Sequence, residues 1–484
     1  MLTDNNQDDN VLDPEMEEVD DNEDDDDEDM DDNEDFEEED EVAEANSGNH
    51  PGNAFDPNNK LKSLTQISHE SNDSLRRRRK RAKVSKISGR NHRDKKKRGG
   101  QGDSGFDLST DFDPRSETEE YSGYIQLVDG GHALMRSEKA SFVAQEGDIL
   151  VPREMVQRFG LRSGHKIHGY VRGKKNRRQK IVTNLLEIQD QLLENWRPAP
   201  MFHALTSVNP FEFYRLSAPM DTDKSMILLE LLTPIGKGQR GLIVAPPRTG
   251  KTMLMEKIAN GIAYNHPEAD IMLLLIDERP EEVTHLTRKV NAKIYASCLD
   301  KPMEEHIALT EMVIDIAQRK VEAGRDVVIL LDSITRMSRA YNNQLKSSGR
   351  TLSGGVDAKA LQEPKKFFGA ARKLEEGGSL TIIATTLVQT GSQMDEVIFQ
   401  EFKGTGNMEL VLNRRLAEKR IYPAIDIAMS GTRREELILP PEYFKAASKF
   451  RRYLSNMTEA NQIPAAIQAL EKYRSTVDFV QAFA

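Results

Sequence analysis

Residues 241–252 read GLIVAPPRTGKT, an apolar run broken by two prolines and closed by Gly250, Lys251 and Thr252 at the head of the helical pattern MLMEKIANGIAY. A strand that ends in such a loop and passes into a helix builds a phosphate cradle. Backbone N–H groups and the helix N-terminus hold phosphate oxygens, a lysine reaches the outer phosphates, and a hydroxyl binds Mg²⁺. Lys251 and Thr252 take the last two roles. Ala245 stands where such loops carry their first glycine, and Pro246 and Pro247 remove two donors and stiffen the loop entrance, so the cradle is expected to be preset.

Outward from this loop, IMLLLI (271–276), VVILL (327–331) and SLTIIATTL (379–387) are each separated by enough chain for a helix. That alternation predicts an α/β domain with a largely parallel sheet and its ligand site at the carboxyl ends of the strands. Two acidic strand ends fall at that edge. Asp332 closes VVILLD, where a carboxylate orders the Mg²⁺ shell through water, and Glu278 closes IMLLLIDE, where it orients or deprotonates an attacking water. Acidic residues at strand ends commonly just begin turns; two of them beside a phosphate loop favour the catalytic reading. Spacing alone assigns no arginine to the transition state, and RRLAEKR and SGTRR hold the later candidates.

The 484 residues suffice for two or three domains. The apolar runs fall far short of the roughly 20 residues of a bilayer span. The opening MLTDNNQDDN lacks the pattern of a secretory signal, and Cys298 is the lone cysteine, so a cytoplasmic protein without disulfides or membrane association is expected. The net charge of −13 divides unevenly: residues 1–59 hold 27 acidic and no basic side chains, and residues 60–98 hold 16 basic and 3 acidic. Residues 1–59 read as a disordered acidic tail and 60–118 as a disordered basic arm suited to nucleic-acid backbone, with a solubilising linker as the plainer reading. Across 119–195 the strand-like runs YIQLV, HALMR, DILVP, HKIHGYVRG and QKIVTNLLEI, with the helical REMVQRFGL between the third and fourth, suit a small all-β barrel of the oligonucleotide-binding (OB), cold-shock-like type. A connector follows over 196–222, and 223–484 forms the ATPase domain with C-terminal helices.

LLIDERPEEVT, VVILLDSITRMSRAYN, SGGVDAKAL, FFGAARKLEEGGSLTIIATTL, DEVIFQEFKGTGNMEL and AEKRIYPAIDIAMSGTRREE, together with the phosphate loop, resemble the Rho family of bacterial transcription termination factors from about residue 120 to about 455. The resemblance implies a RecA-like P-loop ATPase core and a homohexameric ring. It implies an RNA-dependent ATPase and helicase that hydrolyses ATP with Mg²⁺ at subunit interfaces, moves along single-stranded nascent RNA and dissociates the RNA polymerase elongation complex. By motif it places nucleotide contacts on Gly236, Lys237, Gly238, Gln239, Arg240 and Gly241, on Arg248, Thr249, Gly250, Lys251, Thr252 and Met253, and on Arg279. Tyr422 would stack on the adenine, Arg433 would be the arginine finger, and Arg420 a second γ-phosphate sensor from the adjacent subunit.

In the same way the resemblance places RNA in the channel on Arg350, within KSSGRTLSGG, and on Gln393, within TGSQM, where the family commonly has a lysine. In the barrel it points to Gly131, His132, Ala133, Leu134, Met135 and Arg136, to Asp148, Ile149 and Leu150, and to Arg177, Arg178 and Gln179. His132, Leu134 and Leu150 occupy positions where the family stacks bases on aromatics, a contact worth roughly 1–3 kcal/mol per base. RNA binding is therefore expected to lean on the basic arm and to be less base-selective. The competing readings are a rotary or secretion-type ring ATPase acting on protein, and an RNA-binding regulator that keeps the fold without turnover.

Overall fold

The computed structural model describes residues 117–173, 179–218, 223–344 and 353–483. The acidic tail, the basic arm, Arg177, Arg178 and Arg350 lie outside the described residues.

The first element group is a barrel: β1 (Glu119–Leu127), β2 (Ala133–Arg136), β3 (Ile149–Val151), α1 (Arg153–Phe159), β4 (Lys166–Gly173), β5 (Lys180–Ile188) and β6 (Gln191–Leu192). Its strands run in the order β3-β2-β1-β4-β5-β6, and a parallel Leu150–Ile181 pairing between β3 and β5 closes the sheet on itself. Period-2 alternation sends Ile125, Ala133, Met135, Ile149, Val151, Ile167, Val171, Val182 and Leu185 to one core. The barrel docks on the ATPase domain without a spacer. Gly164 shows how closely: a Cβ there would sit 2.3 Å from the carbonyl carbon of Asp315, so only glycine permits this approach.

The second group is a nine-stranded sheet. It uses β7 (Ser207–Val208), α2 (Ser225–Leu232), β8 (Arg240–Ala245), α3 (Lys251–Asn265), β9 (Asp270–Glu278), α4 (Pro280–Lys289), β10 (Lys293–Cys298), α5 (Met303–Glu322), β11 (Asp326–Asp332) and α6 (Ile334–Gln344). These are followed by α7 (Gln362–Gly369), β12 (Arg372–Leu374), β13 (Ser379–Leu387), α8 (Gln393–Lys403), β14 (Met408–Val411), α9 (Arg414–Glu418) and β15 (Gly431–Thr432). The helices α10 (Glu435–Ile438), α11 (Pro441–Ser455), α12 (Glu459–Leu470) and α13 (Thr476–Phe483) complete the chain.

Strand order is β10-β9-β11-β13-β8-β14-β15, parallel from β10 to β14, with β12 and β7 added antiparallel beyond β13. The four central strands are buried on both faces, which is why they read as unbroken apolar runs. β10, KIYASC, is absent from the strands expected from the sequence: it is a half-exposed edge strand of six residues with no apolar run to mark it. Both faces of the sheet carry helices, each over its own apolar cluster. The P-loop, Glu278 and Asp332 all sit at the carboxyl ends of the parallel strands.

Candidate nucleotide and RNA sites

Between β8 and α3 the loop is held by its own groups. Thr249 Oγ1 donates to the Pro246 carbonyl at 2.8 Å, and Arg248 (φ 65°) and Gly250 (φ 86°) take left-handed backbone conformations that turn the chain into the helix. Lys251 starts α3, its Nζ donating to Asp332 Oδ2 at 2.5 Å and lying 3.9 Å from Glu278 Oε2. Thr385 Oγ1 donates to Asp332 Oδ1 at 2.8 Å, so β13 fixes the carboxylate that faces the lysine.

Glu278 reaches this point through a bulge. Ser297 pairs with Ile276 but Cys298 pairs with Glu278, leaving Asp277 as the extra residue at φ 57°. Such an insertion re-aims the next side chain. Glu278 is 2 % exposed and lines the cleft, its Oε1 accepting from the Arg279 N–H at 3.1 Å and its Oε2 buried without a hydrogen bond. Burial, reinforced by the charge of Asp332, raises its pKa above the ordinary carboxylate value. Arg336 lies with Nη1 3.2 Å from Glu278 Oε2 and donates to the Asp277 carbonyl. Arg336 is not among the residues expected from the sequence, unlike Arg248 and Arg279; the available signal is its position one helical turn after Asp332, at the start of α6.

The cleft measures about 520 Å³ and runs from Pro246 to Met253 with Glu278, Arg279, Glu282 and Arg336. Beside it an apolar recess of about 330 Å³ is lined by Met253, Leu412, Tyr422 and Pro423, and the half-exposed Tyr422 ring stands over Gly250. Polar cradle and apolar slot are thus contiguous, as a nucleotide needs. Arg420 lines the slot and the neighbouring recess that also holds Arg248 and Tyr422. That position is on the rim of its own chain's cleft, whereas the resemblance implies a contribution across a subunit boundary.

The donor set also fits Mg²⁺. The Thr252 hydroxyl, the Asp332 and Glu282 carboxylates and an unsatisfied Glu278 oxygen are hard oxygen groups around the lysine, and Mg²⁺ typically takes one or two carboxylates plus substrate phosphates. Among the described residues no group of three or more His, Cys, Asp or Glu could hold a metal alone.

The structure does not bring Gly236, Lys237, Gly238, Gln239, Arg240 and Gly241 to the P-loop of the same chain. This segment leads into β8 at the amino end of the sheet, a strand length away from the P-loop, and most of its polar groups are engaged, Gln239 Oε1 being buried without a hydrogen bond. Lys237 Nζ pairs with Asp326 at 2.7 Å, Gln239 Nε2 donates to Asn407 Oδ1 at 2.7 Å, and the Gly238 N–H donates to Thr381 Oγ1 at 2.7 Å. Arg240 donates through Nε to the Thr405 carbonyl at 3.1 Å and through Nη1 to the Ala371 carbonyl at 3.0 Å. The segment ties strands together. Arg433 is at the same end: Thr432 pairs with Met408, Met408 with Gly241, and the exposed Arg433 follows.

In the barrel, Ala133, Met135 and Ile149 face the core and are not available to RNA, because alternation along β2 and β3 points them inward. Arg136 is buried too, its guanidinium paired with Asp148 and donating to Gln126 Oε1 at 2.8 Å, so both charges are neutralised within the fold. His132, Leu134 and Leu150 are the half-exposed positions; Leu134 and Leu150 are cross-strand partners, and Gln179 donates to the Asp148 carbonyl beside them at 3.3 Å. In the second expected channel loop Gln393 is exposed at the first turn of α8. The loop is held from behind by Asp395, which accepts two hydrogen bonds from Arg339 at 2.8 Å and one from Thr390 at 2.7 Å.

Among the described residues no helix is long and apolar enough to cross a membrane. Residues 121–193 match the family "Rho termination factor, RNA-binding domain", and residues 226–432 match "ATP synthase alpha/beta family, nucleotide-binding domain". Transcription termination factor Rho of Cereibacter sphaeroides is 48 % identical over 360 residues, covering 74 % of this chain and 85 % of that protein. The Escherichia coli protein of the same name is 47 % identical over 362 residues, covering 74 % and 86 %, and that of Buchnera aphidicola 46 % over 360 residues, covering 74 % and 86 %. An RNA-binding barrel and a nucleotide-binding P-loop domain, in that order and at this identity, leave one conclusion: the chain belongs to the transcription termination factor Rho family.

Proposed function

We propose that this chain is an ATP-driven RNA translocase that works as a homohexameric ring, follows nascent RNA and terminates transcription by dissociating the RNA polymerase elongation complex. What supports the ring is the separation of Lys251 and Glu278 from Arg433, which the resemblance implies to be the arginine finger. Lys251 and Glu278 lie at the carboxyl ends of the strands and Arg433 at the amino end, so one chain cannot bring them to the same phosphate. Stacking chains head to tail joins the two ends.

At each such junction Lys251, Thr252 and the loop amides bind the phosphates, Met253 and Tyr422 hold the base, and Arg248 and Arg420 flank the cleft. Glu278 takes the proton of the attacking water, and burial suits it to that role by raising its proton affinity. Mg²⁺, held through Thr252 and through water by Asp332, would neutralise charge on the phosphates. Gln393, with Arg350 outside the described residues, is assigned to RNA contact in the channel by the family resemblance. A ring ATPase acting on protein shares the nucleotide domain, but the RNA-binding barrel favours nucleic acid.

The test is ATPase rate with and without RNA homopolymers, which a protein-translocating enzyme would ignore. For RNA capture, the aliphatic pair Leu134 and Leu150 offers little stacking, so the basic arm supplies affinity by counterion release. The full chain is expected to lose affinity more steeply with salt than residues 116–484, with a log–log slope that changes by about 0.7 for each phosphate contact removed. Strong preference for oligocytidine with a shallow slope in both forms would refute this. Conversely, Leu134→Tyr with Leu150→Tyr should tighten oligocytidine binding, by roughly 1–3 kcal/mol for each base that stacks.

A further inference from the structure

Between β2 and β3 the barrel sends a short knob into the ATPase domain. Ser141 (φ 48°) and Phe142 (φ 61°) are consecutive non-glycine residues in the left-handed region, a conformation that persists only where its surroundings impose it and that collects at functional elements. Phe142 is 2 % exposed and belongs to the ATPase domain's apolar cluster, its ring 6.1 Å from Tyr295 on β10 and 6.2 Å from Tyr124 on β1. Ser141 Oγ donates to Glu305 Oε1 at 2.8 Å in the first turn of α5, and Glu138 pairs with Lys293 of β10 at 2.6 Å.

What the knob touches is the strand that shapes the catalytic bulge. β10 shifts register at Ser297 and Cys298, opposite Asp277 and Glu278, and the Leu299 N–H donates to the Glu278 carbonyl at 3.1 Å. His306, beside Glu305, contacts Ser297 Oγ through Nδ1 at 2.8 Å. The chain of contacts therefore begins at β2, whose Leu134 faces the expected RNA surface, passes through Ser141 and Phe142 to β10 and α5, and ends at the backbone of Glu278.

We infer that Ser141 and Glu305 are positioning residues through which RNA on the barrel sets the geometry of Glu278, a role that rests on the RNA-dependent ATPase reading above. Their hydrogen bond locks the knob against α5; without it the barrel still binds RNA, but the bulge no longer senses it.

The experiment measures ATPase kinetics of the full-length protein with short oligocytidine and with poly(C), alongside anisotropy of labelled short oligocytidine. Ser141→Gly, which relieves the left-handed strain while removing the hydroxyl, and Glu305→Ala should bind the oligonucleotide as the wild type does. Both should keep the KM for ATP and lose about tenfold in RNA-stimulated kcat, within the usual range of coupling between sites. Glu305→Gln, whose amide oxygen still accepts from Ser141, should retain full stimulation. Stimulation of Ser141→Gly and Glu305→Ala equal to wild type, or loss in Glu305→Gln as deep as in Glu305→Ala, would overturn the coupling alone. A wild-type protein indifferent to RNA would overturn the underlying reading as well.

Discussion

Glu278→Gln is expected to bind ATP with near wild-type affinity and to hydrolyse it about 10²–10⁴ times more slowly, the range that a positioned general base contributes. The substitution is nearly isosteric, keeps the oxygen that accepts from the Arg279 N–H, and leaves Lys251 paired with Asp332. What it removes is the proton acceptor. Because burial raises the Glu278 pKa, the wild-type rate should fall on acidification at a pH above the ordinary carboxylate range, as the base becomes protonated, while the residual rate of the Gln variant should show no such limb.

The same shift fixes the sign of the stability effect. A carboxyl whose folded pKa lies above its unfolded one favours folding at low pH, and that contribution is lost as pH rises through the folded pKa. At neutral pH the ionised Glu278 therefore costs stability, and Glu278→Gln should melt at or above the wild-type temperature. Calorimetry at neutral pH checks this against turnover measured in the same buffer; undiminished turnover would remove Glu278 from the mechanism.

Much of this centre was legible because its parts are local. The strand, Pro246–Thr252 and the start of α3 are contiguous, and Glu278 and Asp332 end apolar runs long enough to recognise. What stayed hidden depends on pairing between distant segments. The bulge at Asp277 exists only against β10, a half-exposed edge strand without an apolar run, and it decides which of two adjacent carboxylates turns inward. Arg336 meets Glu278 because β9 and β11 are neighbours, which spacing along the chain does not encode. Arg136 reads as a surface cation in sequence, yet Asp148, twelve residues on, neutralises it inside the barrel. The segment 236–241 enters the expected site only through the family resemblance, and the structure shows a packing role for its glycines: a Cβ at Gly238 would lie 2.3 Å from the Lys373 nitrogen.

Arg433→Ala is expected to lower kcat by about 10³–10⁵, the effect of losing an arginine that stabilises charge on the transferring phosphate, with ATP binding largely retained. The stronger form of the prediction concerns where that arginine acts. Thr432 is level with Gly241 at the start of β8, and the phosphate loop begins after Ala245; at about 3.3 Å per residue the strand alone separates them by roughly 13 Å. A guanidinium working within its own chain would have to span that distance. Mixing Arg433→Ala chains with Lys251→Ala chains tests the alternative. Each is inactive alone, but in a mixed ring an Arg433→Ala chain supplies an intact Lys251 and Glu278 to a neighbour that still carries Arg433. ATPase activity in the mixture well above that of either parent would place the finger across the junction. A mixture no more active than its parents, with mixed assembly verified, would require Arg433 to act within its own chain and would leave the ring without its structural argument.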